Sequence, residues 1–361
     1  MKIMAKFTFG VFAFLFTLSI HAQTPQERQE IISKYDIELL NQMQAEAEVD
    51  YQRKRKNALA LAEINNWPES YKTENGGFAL LVDVIDGRPI YLQTSNAGAA
   101  LTARADRLYP GGSLGLNLQG QNMLVGVWDG LAVRETHQLL EGRAEQIDGE
   151  TDETNHATHV TGTIIGSGAF QSGDAQGMAP LAETVNYDFG NDISKVINAN
   201  ITYGLLVSNH SYGINAAQAN SWYLGYYDSK AQAFDDIQYT TPYYLPVFAA
   251  GNDRNENHPN PGDGGYDILT GTSVAKNNLV VAACQQVSNY TGPGSVTMSQ
   301  FSSWGPTDDG RIKPDITAKG VNTYSSTATT DTSYGSSSGT SMAAPSVAGV
   351  CALLQEHYNN I

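Results

Sequence analysis

The sequence predicts an α/β protein built on a mostly parallel sheet, and three observations carry the prediction. Beyond Tyr109-Pro110-Gly111-Gly112, short apolar runs alternate with stretches of helical period, the pattern of strands joined by crossover helices. The runs at 124–128, 184–187, 205–209, 245–249, 279–283 and 316–318 have strand length, and helical stretches fall at 158–165, 192–203 and 222–239. With 361 residues there is chain enough for a large core and a second, smaller unit. No internal repeat interrupts the alternation.

Ahead of that region the pattern is different. Lys2 and Lys6 precede an apolar run over 7–20, followed by His21-Ala22-Gln23. A run of this length is short for a bilayer and reads as a secretory signal peptide over 1–22. No other long apolar run occurs, so a secreted protein without stable membrane insertion after cleavage is expected. Thr24-Pro25-Gln26-Glu27 is a capping box with proline at the first helical position, and helical character runs to about 67. The Arg53-Lys54-Arg55-Lys56 cluster inside it reads as a solvated face that is also open to cleavage during maturation. Two apolar runs, 78–85 and 88–92, flank Asp86-Gly87 and predict a hairpin with a type I′ turn. Residues 23–112 thus form a helix-plus-hairpin unit ahead of a domain at 113–361.

The formal charge is 21 − 37 = −16 with pI about 4.7, which argues against a nucleic-acid partner. Cys284 and Cys351 both sit in apolar elements and outside any metal-ligand spacing, so two buried thiols and one disulfide both fit.

The chemistry gathers in three stretches. In Ser338-Gly339-Thr340-Ser341-Met342-Ala343-Ala344-Pro345 a Ser/Thr/Gly-rich loop becomes a helix whose buried face is Val347, Val350, Cys351, Leu353 and Leu354. Pro345 is expected near the first turn. A helix start favours negative charge developing on Ser341, and small neighbours leave room for a carbonyl. A serine needs a base, and the base an orienting anion. Asn155-His156-Ala157-Thr158-His159-Val160-Thr161-Gly162-Thr163 puts a histidine at the start of a small-residue helix. Met123-Leu124-Val125-Gly126-Val127-Trp128-Asp129-Gly130 reads as a buried strand ending in a carboxylate. The order Asp, His, Ser is one of the arrangements of the catalytic triad. An esterase of the α/β-hydrolase type is excluded, because the serine comes last and Ser341 does not stand in a Gly-x-Ser-x-Gly.

On these motifs the chain resembles the subtilisin-like serine peptidases, the subtilases. Their Gly-Thr-Ser-Met-Ala-x-Pro is matched at 339–345, and their His-Gly-Thr-His-Val-Ala-Gly-Thr at 156–163 with Ala157 for Gly and Thr161 for Ala. The resemblance implies a three-layer α/β sandwich and a secreted endopeptidase with Asp129, His156 and Ser341 as its triad. It makes Asn252, in Phe248-Ala249-Ala250-Gly251-Asn252, the donor to the oxyanion. Ser211, Tyr212 and Gly213, with Ala250 and Gly251, become substrate-binding residues whose edge pairs with extended peptides. Phe301-Ser302-Ser303-Trp304-Gly305-Pro306-Thr307 and Lys313-Pro314-Asp315-Ile316 extend the likeness, which covers roughly 120 to the end. No motif of the first hundred residues matches, so 23–112 is expected to be a pro-like or accessory region.

The chain departs from the family at several places. A Thr or Ser usually follows the acid, where this chain has Gly130-Leu131; Asp148 and Asp152 are competing acids in a polar loop. Ala157 must keep a negative φ. The chain stops at Ile361, soon after the serine helix, so a catalytic domain truncated at its C-terminus is expected. His159 reads as a hydrogen-bonded core residue rather than a metal ligand, and His210 and His137 as structural or exposed. Protein or peptide substrates are the expected partners, and no cofactor is required. A calcium site at Asp253, Asn255 and Asn257 is not supported by a specific motif, since the closing glycine and glutamate are missing. The alternative function is a catalytically silent homologue that binds extended peptides.

Overall fold

The computed structural model describes residues 24–72, 78–94, 100–170, 173–255 and 258–361. The expected signal peptide lies outside the described residues. The capping box forms as read, with Thr24 and Glu27 bonded reciprocally at the start of α1 (Pro25–Ile32). The single expected helix is in fact two, because Ser33 ends α1 and Asp36 caps α2 (Ile37–Asn65) by accepting from Leu39 N at 3.0 Å. The break lets Tyr35 turn into the core, where it is 6% exposed.

Strands β1 (Ser70–Lys72), β2 (Phe78–Ile85) and β3 (Arg88–Thr94) are antiparallel neighbours. Asp86 and Gly87 have φ of 48° and 75°, the two positive values that a type I′ turn requires. Helix α2 lies along this sheet, burying Ala58 and Ala62 against Leu81 and Tyr91. Within the basic cluster, Arg55 donates to Leu81 O at 2.8 Å and Lys54 pairs with Asp50 at 2.9 Å. A short helix, α3 (Ala100–Ala103), follows.

The central sheet comprises β4 (Leu124–Asp129), β5 (Ala144–Gln146), β6 (Glu183–Asp188), β7 (Val207–His210), β9 (Leu245–Ala249), β10 (Leu279–Cys284) and β11 (Ile316–Lys319). Its order is β11-β10-β9-β7-β4-β6-β5, and every pairing is parallel. Side chains on β4 alternate between two cores. Val125 and Val127 meet α4 (Asn155–Ile165) and α7 (Thr340–Asn359) on one face. Leu124 and Trp128 meet α5 (Asp192–Tyr203) and α6 (Ser229–Thr240) on the other. That is the three-layer sandwich. All six β4 residues are buried, and an apolar side chain so placed contributes roughly 1.5–3 kcal/mol.

Helix α6 begins later than the periodicity suggested. Gly225, at φ 77°, breaks the chain direction after a 3₁₀ turn at Ser221–Tyr223, and Asp228 then caps α6 through Ala231 N at 2.8 Å. Two short pairings were not foreseen. Strands β12 (Thr323–Ser326) and β13 (Tyr334–Ser337) form a hairpin ahead of Ser341. Strand β8 (Tyr212–Ile214) takes β3 as an antiparallel partner, with Leu92 opposite Ile214, Gln93 opposite Gly213 and Thr94 opposite Tyr212. Both cysteines are free. No helix among the described residues is long and apolar enough to cross a membrane.

Candidate active site

Asp129 is the last residue of β4, at the carboxyl end of the sheet. Its Oδ1 lies 2.5 Å from His156 Nδ1 and accepts Gly130 N at 2.8 Å. Burial pushes the carboxyl above the usual range, against the pull of the neighbouring imidazole and the Gly130 N–H. Oδ2 has no hydrogen-bond partner among the described residues, and no hydroxyl follows the acid to supply one. The competing acids go elsewhere. Asp148 pairs with Lys195 at 2.7 Å and accepts Asp188 N at 2.8 Å, while Asp152 is exposed.

Helix α4 starts earlier than expected, so His156 stands in its first turn. Thr154 is the reason. Its hydroxyl accepts Ala157 N at 3.2 Å, capping the helix, and donates to Gly130 O at 2.8 Å, tying base helix to acid loop. The sequence reading passed over Thr154, although a threonine just ahead of a helical histidine is an N-cap signal. Ala157 is helical and outside the positive-φ residues, so its methyl costs no strain.

Ser341 is the second residue of α7 and is 2% exposed. Its Oγ donates to Ser211 O at 2.9 Å, and Ser211 Oγ donates to Ser341 O at 2.7 Å. The second bond follows from Pro345, which sits deeper in α7 than expected. Without an N–H, Pro345 cannot satisfy the carbonyl four residues earlier, and Ser211 does so instead. Asn252 Oδ1 accepts Thr340 N at 2.7 Å and Thr340 Oγ1 at 3.2 Å. The carbonyl end of the amide is thereby fixed, which orients its NH₂ end away from Thr340. Gly251 N donates to Thr340 Oγ1 at 3.1 Å. Gly251 has φ 106°, and a Cβ there would lie 2.9 Å from Ser303 Oγ, so glycine is required. Ala250 N is held by Val281 O at 3.1 Å. Tyr212 and Gly213 lie in β8, whose edge carries β3.

His137, His159 and His210 are buried. His159 Nε2 faces Thr323 O and Gly335 O, each at 3.2 Å, so the proton is on Nε2. Burial, with the neighbouring His156, pushes His159 down to about 4. His137 Nε2 faces Ser333 O at 2.8 Å. Among the described residues no cluster of His, Cys, Asp or Glu could hold a metal ion. Asn257 lies outside the described residues; Asp253 is buried, its N bonded to Ser303 Oγ at 3.1 Å.

A parallel α/β sandwich with an acid at a strand end and a serine and a histidine at helix starts defines a serine peptidase. The chain belongs to the subtilase family, whose model matches residues 120–361. It is 30% identical over 265 residues to serine protease AprX of Bacillus subtilis (strain 168), covering 66% of this chain and 58% of that protein. It is 56% identical over 61 residues to the C5a peptidase of Streptococcus pyogenes, covering 17% of this chain and 5% of that one. The chain thus spans under two thirds of these relatives. The crystal structure of fervidolysin from Fervidobacterium pennivorans, a keratinolytic enzyme related to subtilisin, shares the fold. Its TM-score is 0.50 at 24% identity, with 72% of this chain and 40% of that chain covered.

Proposed function

We propose that this chain is a secreted serine endopeptidase that cleaves protein or peptide substrates through an acyl-enzyme on Ser341. Ser341 Oγ attacks the scissile carbonyl and its proton passes to His156 Nε2. Asp129 accepts from Nδ1–H, which holds the imidazole in the tautomer that leaves Nε2 basic, and stabilises the imidazolium. The proton then goes to the leaving amine, and water releases the acyl group by the same route. Asn252 Nδ2 and the Ser341 N–H receive the oxyanion. No cofactor takes part in these steps. The observation that carries the reading is the 2.5 Å contact between Asp129 and His156, in a structure where Asn252 is bonded to the residue before Ser341.

Residues 23–112 are read as a pro-like region. Support comes from β3, which occupies the β8 edge that an extended substrate would use. Secretion rests on the apolar run over 7–20.

Labelling with a fluorophosphonate tests the chemistry. The wild-type chain is expected to react, and Ser341→Ala and His156→Ala to remain unlabelled. A wild-type chain that binds extended peptides yet resists the label is a silent binding homologue, and the proposal falls.

A further inference from the structure

Under the β8 edge runs a line of polar groups that the catalytic steps do not use. Tyr244 OH and Ser208 Oγ are 2.5 Å apart, and Ser208 Oγ is 2.8 Å from His210 Nε2. His210 Nδ1 is 2.9 Å from Tyr212 OH, which donates to Asp192 Oδ2 at 2.8 Å, and Lys230 Nζ lies 2.8 Å from the same oxygen. Counting protons fixes the direction. The single Tyr212 hydroxyl proton goes to Asp192, so its oxygen accepts from His210 Nδ1–H. His210 Nε2 must then accept from Ser208, whose oxygen accepts from Tyr244. Every donor points toward the Asp192 carboxylate, an alignment in which each bond polarises the next.

His210 is wholly buried, with its ring stacked on Trp128 at 5.0 Å and on Phe248 at 4.3 Å. Placing an imidazole and two phenols in an apolar core is costly unless all are bonded. Nothing in the packing calls for them, since apolar rings of similar size would fill the same stack. What the line does is tie β8 to the first turn of α5 and to β7. Tyr212 is 2% exposed, so its side chain is spent beneath the edge. Gly213 has no side chain, and a Cβ there would meet nothing within 4 Å among the described residues. At these two positions the edge therefore presents backbone.

We propose that His210 and Tyr212 are positioning residues: the buried relay from Tyr244 to Asp192 holds β8 as a backbone-only rail for extended chains. The part about extended chains rests on the substrate-edge reading above. The rail pairs with any extended backbone and discriminates little by side chain at these positions, which suits a broad range of unfolded protein substrates. It also steadies Ser341, because Ser211, the residue before the rail, exchanges two hydrogen bonds with it.

The test is amide hydrogen exchange on the full chain in a Ser341→Ala background, which needs no peptidase activity. His210→Leu and His210→Gln both remove the ring from its stack, but glutamine keeps one donor and one acceptor. With leucine, exchange at Gly213 and Ile214 is expected to rise about tenfold relative to β4 amides, and glutamine to restore most of the protection. Tyr212→Phe, which keeps its ring, should behave like leucine at 210. Equal exchange in the leucine and glutamine variants, or β8 and β4 amides rising in step, would show a packing role only and overturn the proposal. If the protein fails to react with fluorophosphonate, the peptidase reading falls while this comparison still decides whether the relay holds β8.

Discussion

Asn252 is committed at one end of its amide, because Oδ1 takes both the N–H and the hydroxyl of Thr340. That separates its structural role from the proposed chemical one. Asn252→Asp keeps the oxygen for Thr340 and replaces the NH₂ donor with a second oxygen. The expected result is a kcat lower by about 10²–10³-fold, the loss known for such a donor in subtilisin itself, with an unchanged melting temperature. Asn252→Ala should lose activity and stability together; steady-state kinetics beside calorimetry tell the two apart. His159 carries a different prediction. Its folded value of about 4 lies below the ordinary histidine range near 6.5. The unfolded chain therefore binds more protons between those values. The stability from keeping His159 neutral is complete above about pH 6.5 and is lost as pH falls toward 4. His159→Gln keeps a donor for Thr323 O and Gly335 O but does not titrate. It should flatten the pH dependence of unfolding free energy in that window by about 1.4 kcal/mol per pH unit. Denaturant titrations at several pH values check this, and parallel curves would deny His159 the role.

At the scale of elements, the central strands and helices were legible because periodicity and burial agree. A strand such as β4, buried on both faces, announces itself as an uninterrupted apolar run ending in Asp129. The candidate site was legible because Asp129, His156 and Ser341 sit in contiguous motifs, and each motif supplies its own helix start or strand end. What stayed hidden was non-local. Nothing in Tyr212-Gly213-Ile214 says that its partner lies more than a hundred residues earlier, and three residues carry too little pattern to read as a strand. Asp36, whose side chain caps α2 and so splits the N-terminal helix, is one of many charges in that stretch, and no local pattern singles it out. The β3–β8 pairing can be tested by proline, which removes a ladder N–H. Successive strand residues direct their N–H groups to opposite neighbours, so proline at Gln93 and at Thr94 deletes bonds to different strands. One of the two should loosen β3 from β8 and speed fluorophosphonate labelling of Ser341, while the other weakens only the β2–β3 hairpin. If neither variant reacts faster, β3 does not limit access to the serine.

For the whole molecule the question is what keeps the loops beyond Asn252 folded beside a site that must stay rigid. The chain carries a formal charge of −16, and the segment after Asn252 is rich in oxygen side chains, so a cation is the obvious candidate. The structure supplies one from the chain. Arg254 places its guanidinium 3.8 Å over the Trp304 ring, and donates to Gln300 O at 3.0 Å and also to Ser299 O. Arg254 N is held by Phe301 O at 3.1 Å. These bonds clamp the loop to the 299–304 segment. A calcium ion would need six to eight oxygens in a held geometry, close to a guanidinium that repels it. We therefore expect this loop to hold no calcium: any change in melting temperature between EDTA and millimolar Ca²⁺ should be the same in the wild-type chain and in Asp253→Ala. An ion bound by the folded state alone would raise the melting temperature with its concentration. Arg254→Met, which keeps an apolar contact with Trp304 but no donor, should lower the melting temperature equally in both buffers. A calcium-dependent rise in the wild type, abolished by Asp253→Ala, would show instead that this loop holds a metal.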